Sequence, residues 1–291
     1  MNKQKQKVKV TIGLSVYNAE RYLKEAIVSI LNQTFENFEL IIVNDGSKDS
    51  SMELAHSFQD NRIKIFDDGL NKGLPMRLNQ IHSLAKGSYI ARMDADDIMH
   101  PDRIKRQVLI LEKHPEIDVL GTNAYSIDEN NKVMGVRQSI NNKTEILSVK
   151  SFIHPTIMGK TEWFLVNFYN EKLKRVEDIE LWYRTKNKSN FKIVNQPLLF
   201  YREFGGSYYK KYQNGIPSML NISKKYIRKF EFKSSLIWLF ISFISIFKYL
   251  LYRLFNLLKL EYLLINNRNI EIKDFQKISA IEALEQATNN I

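Results

Sequence analysis

The first hundred residues contain four short apolar runs. Each run is followed by a segment with helical spacing or by a polar turn. The run FELIIV from Phe38 to Val43 is largely apolar, as expected for a strand buried on both faces of a parallel sheet. The other runs are Val8 to Val16, Ile63 to Phe66 and Ser88 to Met93, and the helical segments are Tyr22 to Leu31, Ser51 to Phe58 and Leu74 to Ala85. This β-α-β-α-β-α-β order predicts an α/β fold, with a Rossmann-like, mostly parallel sheet flanked by helices.

Polar side chains stand where these strands end, which is where ligands bind in open α/β sheets. The fourth strand leads into the stretch YIARMDADDIMHPDR, with carboxylates at Asp94, Asp96 and Asp97. Carboxylates so close together repel and raise one another's pKa unless a positive charge lies among them. The residues alone leave two interpretations open: a cation site, or an acidic turn in which an aspartate caps the next helix or holds a loop.

The chain of 291 residues is long enough for one large domain, or one domain with an appendage. It contains no cysteine, which excludes disulfides and thiolate metal sites and favours a reducing, cytosolic location. The basic start MNKQKQKVKV does not lead into an apolar run, so a secretory signal is not expected.

The character of the sequence changes after about Phe204. Between Gly205 and Leu260 the sequence has ten Lys or Arg residues and one acidic residue, Glu231. This segment therefore carries most of the net charge of +11 of the whole chain. We therefore predict a catalytic domain over residues 1–204 and a basic, apolar helical region over residues 205–291. The stretch from Gly205 to Pro217 is expected to be a loop, and Leu236 to Phe247 an apolar helix.

The apolar run LIWLFISFISIF, with polar residues on one side of its continuation, indicates an amphipathic helix. This run of twelve residues falls short of the roughly 20 that span a bilayer, so a helix lying in the membrane interface is favoured. The alternative is a helical hairpin that packs on the catalytic domain or on a second subunit. A homo-oligomer therefore remains an open prediction.

Four blocks of the sequence resemble the family 2 glycosyltransferases of GT-A fold. They are LSVYNAERYLKEAIVSILNQTFENFELIIVNDGSKDSS, NKGLPMRLNQ, GSYIARMDADDIMHPDR and VEDIELWYR, and they appear in the order typical of the family. The resemblance covers about Val8 to Arg202. It implies transfer of a sugar from a nucleotide diphosphate to an acceptor hydroxyl with inversion, assisted by Mn²⁺ or Mg²⁺.

The resemblance assigns roles to residues of the first three blocks. Asp96 would bind the metal and Asp94 would lie by the ribose or the metal. Asp45 would accept a hydrogen bond from the uracil imide, although an Asx-turn is the competing interpretation. Tyr17 would pack against the base, unless it is an ordinary core aromatic. The remaining residues of the expected nucleotide site are Ser15, where the family usually has proline, Asn71 and Arg77. Arg77 could equally be a surface residue that pairs with Asp67 or Asp68.

Inverting transfer needs a general base, and the resemblance places it at Asp178, beside Glu177. Two acids at a helix start would otherwise serve the helix dipole. His154, in FIHPTIM, resembles the family's His-Pro motif and is a candidate for the metal, diphosphate or acceptor. The Gln-x-x-Arg-Trp block of the processive synthases is missing after Asp178, which implies addition of a single sugar.

These observations favour a glycosyltransferase at the cytoplasmic face of the bacterial inner membrane, held there peripherally and acting in surface polysaccharide synthesis. A UDP-sugar is the favoured donor, and a glycan or lipid-linked glycan the expected acceptor. The alternative is a nucleotidyltransferase using a carboxylate-bound Mg²⁺, but SVYNAE lacks the glycines of a phosphate loop. No nucleic acid partner is expected, because the cations lie near apolar helices and are not interleaved with aromatics.

Overall fold

A computed structural model describes residues 8–139, 151–203 and 208–289. The strands of these residues are β1 Val10–Val16, β2 Phe38–Asn44, β3 Ile63–Phe66, β4 Tyr89–Asp94, β5 Ile98–Met99, β6 Val119–Ile127, β7 Val133–Arg137, β8 Met158–Lys160, β9 Phe191–Arg202 and β10 Asn269–Ile270. The helices are α1 Leu23–Leu31, α2 Ser51–Ser57, α3 Leu74–Leu84, α4 Arg103–Lys113, α5 Thr161–Val166, α6 Glu177–Thr185, α7 Tyr208–Arg228, α8 Phe232–Leu257, α9 Glu261–Asn266 and α10 Asp274–Thr288.

All ten strands of the described residues belong to one mixed sheet, with the main order β10-β7-β6-β8-β4-β1-β2-β3. The half formed by β3, β2, β1 and β4 is parallel, because helices connect each strand to the next. Beyond β4 the neighbours β8, β6, β7 and β10 pair antiparallel, while β9 runs parallel to β6. The predicted α/β sheet is confirmed, and its parallel part is the half that the sequence periodicity described.

Two hydrophobic clusters cover the two faces of the parallel half. One contains Ile12, Leu40 and Ile27 of α1, and the other contains Ile41, Leu78 of α3 and Trp182 of α6. Strand β2 is buried at every position, as its apolar sequence predicts. The sheet is therefore a rigid platform, and the residues at the ends of β1, β2 and β4 lie at one edge of it.

Two predictions about local structure were wrong. The segment expected as a loop up to Pro217 is helical from Tyr208 onwards, and Pro217 lies inside α7. Long-range packing stabilises this helix: Gly215 approaches Val176 so closely that a Cβ at position 215 would lie 3.3 Å from the valine side chain. The sequence also predicts a strand, a turn and a second strand over Phe191 to Arg202, but this segment is a single strand with irregular register against β6.

The C-terminal segment packs back onto the sheet. Strand β10 pairs antiparallel with β7, and the Asn32 side chain of the turn after α1 donates to the carbonyl of Ala287 in α10. Helices α7 and α8 form a hairpin whose Trp238 packs against Tyr183 of α6, with ring centroids 5.7 Å apart. The predicted division between residues 204 and 205 lies outside the described residues.

Candidate active site

The three carboxylates after β4 lie together. One carboxylate oxygen from each of Asp94, Asp96 and Asp97 lies within 4.8 Å of the other two. Asp94 is half-buried and forms an ion pair with Arg92 at 2.7 Å, whereas the Asp96 side chain is exposed. The strand end thus presents Asp96 outward and keeps Asp94 tied to the sheet.

Asp97 has a structural role in this cluster. It is completely buried, and its Oδ1 accepts a hydrogen bond of 2.9 Å from the backbone N–H of Arg202 in β9. This contact ties the turn after β4 to β9. The capping alternative is wrong, because the N-cap residue of α4 is Asp102.

The electrostatics of the cluster fit a divalent cation. Burial raises the pKa of Asp97 well above its usual range, and within the described chain its Oδ2 has no hydrogen-bond partner. Although Asp96 reaches solvent, the surrounding protein atoms and then the Asp94 charge raise its pKa as well. A hard cation with oxygen ligands, such as Mg²⁺ or Mn²⁺, would relieve this repulsion, so these residues fit the expected metal.

A second acidic set lies at the start of α6. Single ligand atoms of His154, Glu177 and Asp178 lie within 4.8 Å of one another, and His154 Nδ1 is 3.9 Å from Asp178 Oδ2. Burial, together with the neighbouring Asp178, raises the pKa of Glu177 to about 7. Burial also raises the pKa of Asp178. Two adjacent carboxyl groups that hold their protons more tightly than usual can accept a proton near neutral pH.

His154 belongs to this second set and not to the cluster of Asp96. Its Nε2 lies 2.7 Å from the Tyr169 hydroxyl, and burial followed by the charge of Arg92 lowers its pKa well below the usual range. A neutral imidazole can hydrogen-bond on both sides. The structure therefore separates the two residues predicted as metal ligands, because the turn that carries His154 packs beside α6.

Arg92 is a site residue that the sequence reasoning missed. It is buried on β4, and one of its nitrogens binds Asp94. Its Nε and Nη1 atoms have no hydrogen-bond partner among the residues that the structure describes. Its positive charge acts on Glu177 and Asp178 as well as on Asp94. The signal was present in YIARMD, where a cation interrupts an otherwise buried strand.

Asp45 lies at the end of β2, where its Oδ1 accepts hydrogen bonds from the backbone N–H groups of Lys72 and Gly73 at 2.7 and 3.0 Å. Arg77 Nε donates to the same oxygen at 3.0 Å. The local Asx-type turn is made by Asn44, whose Oδ1 accepts from Ser47 N–H at 2.9 Å. Asp45 therefore holds the loop before α3, and its Oδ2 accepts one further bond, from Gly73.

Arg77 is fully buried behind Asp45, and it is not the surface residue that the sequence allowed. Its guanidinium donates to Asp45, to both oxygens of Asp68, to Gln80 and to the carbonyl of Leu70. These bonds occupy all five donors, so a nucleotide finds no free N–H on this side chain. In this structure Arg77 holds the loop before α3 from behind.

We expect Arg77→Met to lower the free energy of unfolding by about 3 kcal/mol, because it leaves the buried Asp45 carboxylate without its cation. Urea unfolding followed by circular dichroism measures this loss. Arg62→Met is the matched control, since Arg62 pairs with Asp60 in a more open position. Equal losses in the two variants would contradict the role of Arg77.

The other three residues of the expected nucleotide site lie around this loop. Tyr17 follows β1 and is 54% exposed, so the core-packing interpretation is wrong. Ser15 pairs in register with Asp94 of β4. Asn71 is exposed, and its backbone N would lie 2.8 Å from a Cβ at Gly46, where φ is +74°. Only glycine fits at Gly46, and this close approach fixes the loop at the strand ends.

A cavity of about 590 Å³ lies between Asp94, the second acidic set and the C-terminal helices. Its lining includes Arg92, Asp94, His154, Glu177 and Asp178 from the sheet edge and α6. The opposite wall comes from α7 and α8, with Lys211, Tyr212, Met219, Ile241, Ile244, Ser245 and Lys248. Asp96 and the five residues of the expected nucleotide site lie outside this lining. The helical hairpin therefore completes the cavity, a role that no sequence motif indicated.

Comparison with known proteins identifies the family. The model of glycosyl transferase family 2 matches residues 11–173. EpsE, a Bacillus subtilis (strain 168) protein named as a glycosyltransferase, is 38% identical over 184 residues, which cover 60% of this chain and 66% of EpsE. The uncharacterized glycosyltransferase MJ1057 of Methanocaldococcus jannaschii is 34% identical over 205 residues, 66% of this chain and 70% of that protein.

Solved structures share the fold at lower identity. S. aureus TarS 1–349 in complex with UDP superposes with a TM-score of 0.57 and 21% identity, covering 73% of this chain and 66% of TarS 1–349. Mannosyltransferase PcManGT from Pyrobaculum calidifontis, in complex with GDP-Man and Mn²⁺, gives a TM-score of 0.59 and 13% identity, with 97% and 86% covered. These likenesses confirm the GT-A fold. The chain belongs to glycosyl transferase family 2 and is a glycosyltransferase.

Proposed function

We propose that this enzyme transfers one sugar, with inversion and with the help of a divalent metal, from a nucleotide diphosphate sugar to a hydroxyl of a glycan or lipid-linked glycan. Surface polysaccharide synthesis is the proposed setting. The observation that carries the proposal is the presence of two separate carboxylate sets. Asp94, Glu177 and Asp178 line one cavity, and Asp96 lies in the same cluster as Asp94. Leaving-group stabilisation and proton removal need two such sets.

The proton-removal step belongs to Asp178. The acceptor oxygen attacks the anomeric carbon of the sugar while the bond from that carbon to the diphosphate oxygen breaks. The hydroxyl proton passes to the Asp178 carboxylate, whose Oδ1 is fixed by the Ile179 N–H at 2.8 Å. The raised pKa of Asp178 makes it a stronger base than an ordinary aspartate. We propose that His154 and Arg92 orient this carboxylate.

The donor side is proposed to use Asp94 and Asp96 for the diphosphate and Asp45 with Tyr17 for the base. Bound Mn²⁺ or Mg²⁺ would neutralise charge on the diphosphate. Asp45 keeps accepting capacity on Oδ2, which suits the imide N–H of uracil, and the exposed Tyr17 ring offers a stacking surface. A UDP-sugar donor is further supported by the TarS structures, which contain UDP and UDP-GlcNAc.

We propose that α8 places the enzyme on the cytoplasmic face of the inner membrane as a peripheral protein. Among the described helices, α8 alone is long and apolar enough to cross a membrane. The side of α8 that faces the protein carries small or amphipathic residues, and its outer side is apolar. A helix on the surface of a soluble protein has the opposite arrangement, with its apolar side inward. Because Ile241, Ile244 and Ser245 line the cavity, α8 lies along the protein, and its outer face is free for the interface. This division into a catalytic domain over 1–204 and a membrane-facing region over 205–291 is part of the proposal.

Phe243→Asp combined with Phe247→Asp is expected to weaken vesicle binding by at least about tenfold, since each buried aromatic contributes roughly 1.5–3 kcal/mol. These side chains are 68% and 62% exposed. Co-sedimentation with anionic phospholipid vesicles measures the change. Leu109→Asp is the matched control, because Leu109 of α4 is 58% exposed but lies away from α8. Unchanged sedimentation of the double variant would refute interfacial binding.

The experiment that tests the function is hydrolysis of a panel of nucleotide sugars by the purified enzyme, first with Mn²⁺ and then with EDTA. We expect slow release of one nucleoside diphosphate, and we expect EDTA to abolish it. Release that does not depend on metal, or no release from any donor in the presence or absence of a glycan acceptor, would refute the proposal. The panel also names the nucleotide.

A further inference from the structure

The cavity carries more positive than negative charge. Among its described lining residues, six are cationic and three are carboxylates. Four of the cations come from the sheet edge at β7 and from the C-terminal segment, and we call these the basic set: Arg137, Lys211, Lys248 and Arg268. The proposed transfer uses none of them.

One buried carboxylate is shared by two members of the basic set. Arg137 Nε and Arg268 Nη1 both lie 3.6 Å from Oε1 of Glu203, and Arg137 Nη1 donates to the carbonyl of Arg268 at 3.1 Å. The same Glu203 oxygen accepts from the Tyr208 hydroxyl at 3.1 Å. In the described ranges Arg268 Nη1 is buried and makes no hydrogen bond. The basic set therefore keeps unused donors and uncompensated charge.

Neighbouring cations act on both lysines of the basic set. The surrounding protein atoms and then the charges of Arg268 and Arg137 lower the pKa of Lys248. Burial and then the charge of Arg175, a further cation of the cavity lining, lower the pKa of Lys211, although Asp96 and Glu203 act in the opposite direction. An anion placed among these side chains would relieve the repulsion, as in other clusters of like charge.

The surroundings of the basic set indicate what carries the anion. Met219, Ile241 and Ile244 line the same cavity, and the outer face of α8 is apolar and exposed. The loop at Asp45 and Tyr17, which suits the nucleotide base, lies outside the lining, whereas Asp178 belongs to it. A molecule that enters beside α8 thus reaches the basic set and the proposed base together.

We propose that the basic set is an anion site for the phosphate of a lipid-phosphate acceptor, whose hydrocarbon chain extends along α8. The inference rests on the proposed function, since the hydroxyl that receives the sugar must reach Asp178. It narrows the acceptor to a lipid whose headgroup carries phosphate, with the lipid-phosphate group held by cations from the C-terminal segment and β7.

The test is equilibrium binding to the full chain in neutral detergent, without donor and without divalent metal. The probes are farnesyl phosphate, farnesol, inorganic phosphate and UDP. We expect farnesyl phosphate to bind at least about tenfold more tightly than farnesol or inorganic phosphate, since cations and apolar surface act together. Lys211→Gln with Lys248→Gln should weaken farnesyl phosphate about tenfold. Lys233→Gln with Arg253→Gln, at positions of α8 outside the cavity lining, should leave its affinity unchanged.

Three results would overturn the inference. Equal affinity for farnesol and farnesyl phosphate would mean that the site does not recognise phosphate. Equal affinity for inorganic phosphate and farnesyl phosphate would mean that the hydrocarbon chain does not contribute to binding. Loss of UDP binding in the Lys211 and Lys248 double variant, with farnesyl phosphate unaffected, would assign the lysines to the donor. The binding experiment does not measure sugar transfer. If no nucleotide sugar were hydrolysed but the protein still preferred farnesyl phosphate to farnesol, only the proposed reaction would be refuted.

Discussion

Asp178→Asn is expected to lower the rate of sugar transfer about 10³-fold, the range lost when a general base is removed. The amide keeps the shape of the side chain and still accepts from the Ile179 N–H, so the fold should be unchanged. It cannot take the acceptor proton. The measurement is the initial rate of transfer at saturating donor, with thermal melting as a check on folding.

Glu162→Gln is the matched control for this substitution, because it removes an exposed carboxylate of α5 that lies outside the cavity. It should retain the wild-type rate. A rate for Asp178→Asn within tenfold of wild type would show that another group removes the proton.

The same site gives the enzyme its expected pH dependence. The base must be ionised to act, and the pKa values of both Asp178 and Glu177 are raised, the latter to about 7. The rate should therefore fall on acidification at a higher pH than an ordinary aspartate would give, and level off as the pH rises. Glu177→Gln removes a neighbouring negative charge and should shift this acidic limb to lower pH.

Asp96→Asn is expected to lower metal-dependent transfer by about 10²-fold, because several kcal/mol of charge stabilisation on the leaving group would be lost. The Asp96 side chain is exposed, and it is the backbone carbonyl of this residue that accepts from Arg202 Nε at 2.8 Å. The substitution thus leaves the anchor to β9 in place. Transfer and donor hydrolysis are measured across a Mn²⁺ titration.

Asp102→Asn serves as the control for Asp96, since Asp102 pairs with Arg106 at the start of α4 and lies outside the acidic cluster. It should keep the wild-type rate and Mn²⁺ dependence. If Asp96→Asn had the same Mn²⁺ dependence as wild type, the acidic cluster would be a loop anchor only.

Local pattern was sufficient for the strands and helices of the first hundred residues. Strand β3 has the bounds that the sequence predicted, and β2 differs by one residue. Buried strands and amphipathic helices carry their periodicity in adjacent residues, so tertiary context changes little. The same local information failed at α7, where a stretch rich in Gly, Tyr and Lys without a clear period favoured a loop, and long-range packing stabilises a helix.

For the site, the sequence by itself determined the chemical groups at the strand ends and the family to which the chain belongs. Only the tertiary structure decided which groups lie together: His154 with Asp178, Arg77 behind Asp45, and Arg92 near both acidic sets. It also made α7 and α8 a wall of the cavity. Residue type and spacing fix the local conformation and its chemistry, whereas contacts between residues distant in the chain depend on how the whole fold closes its core.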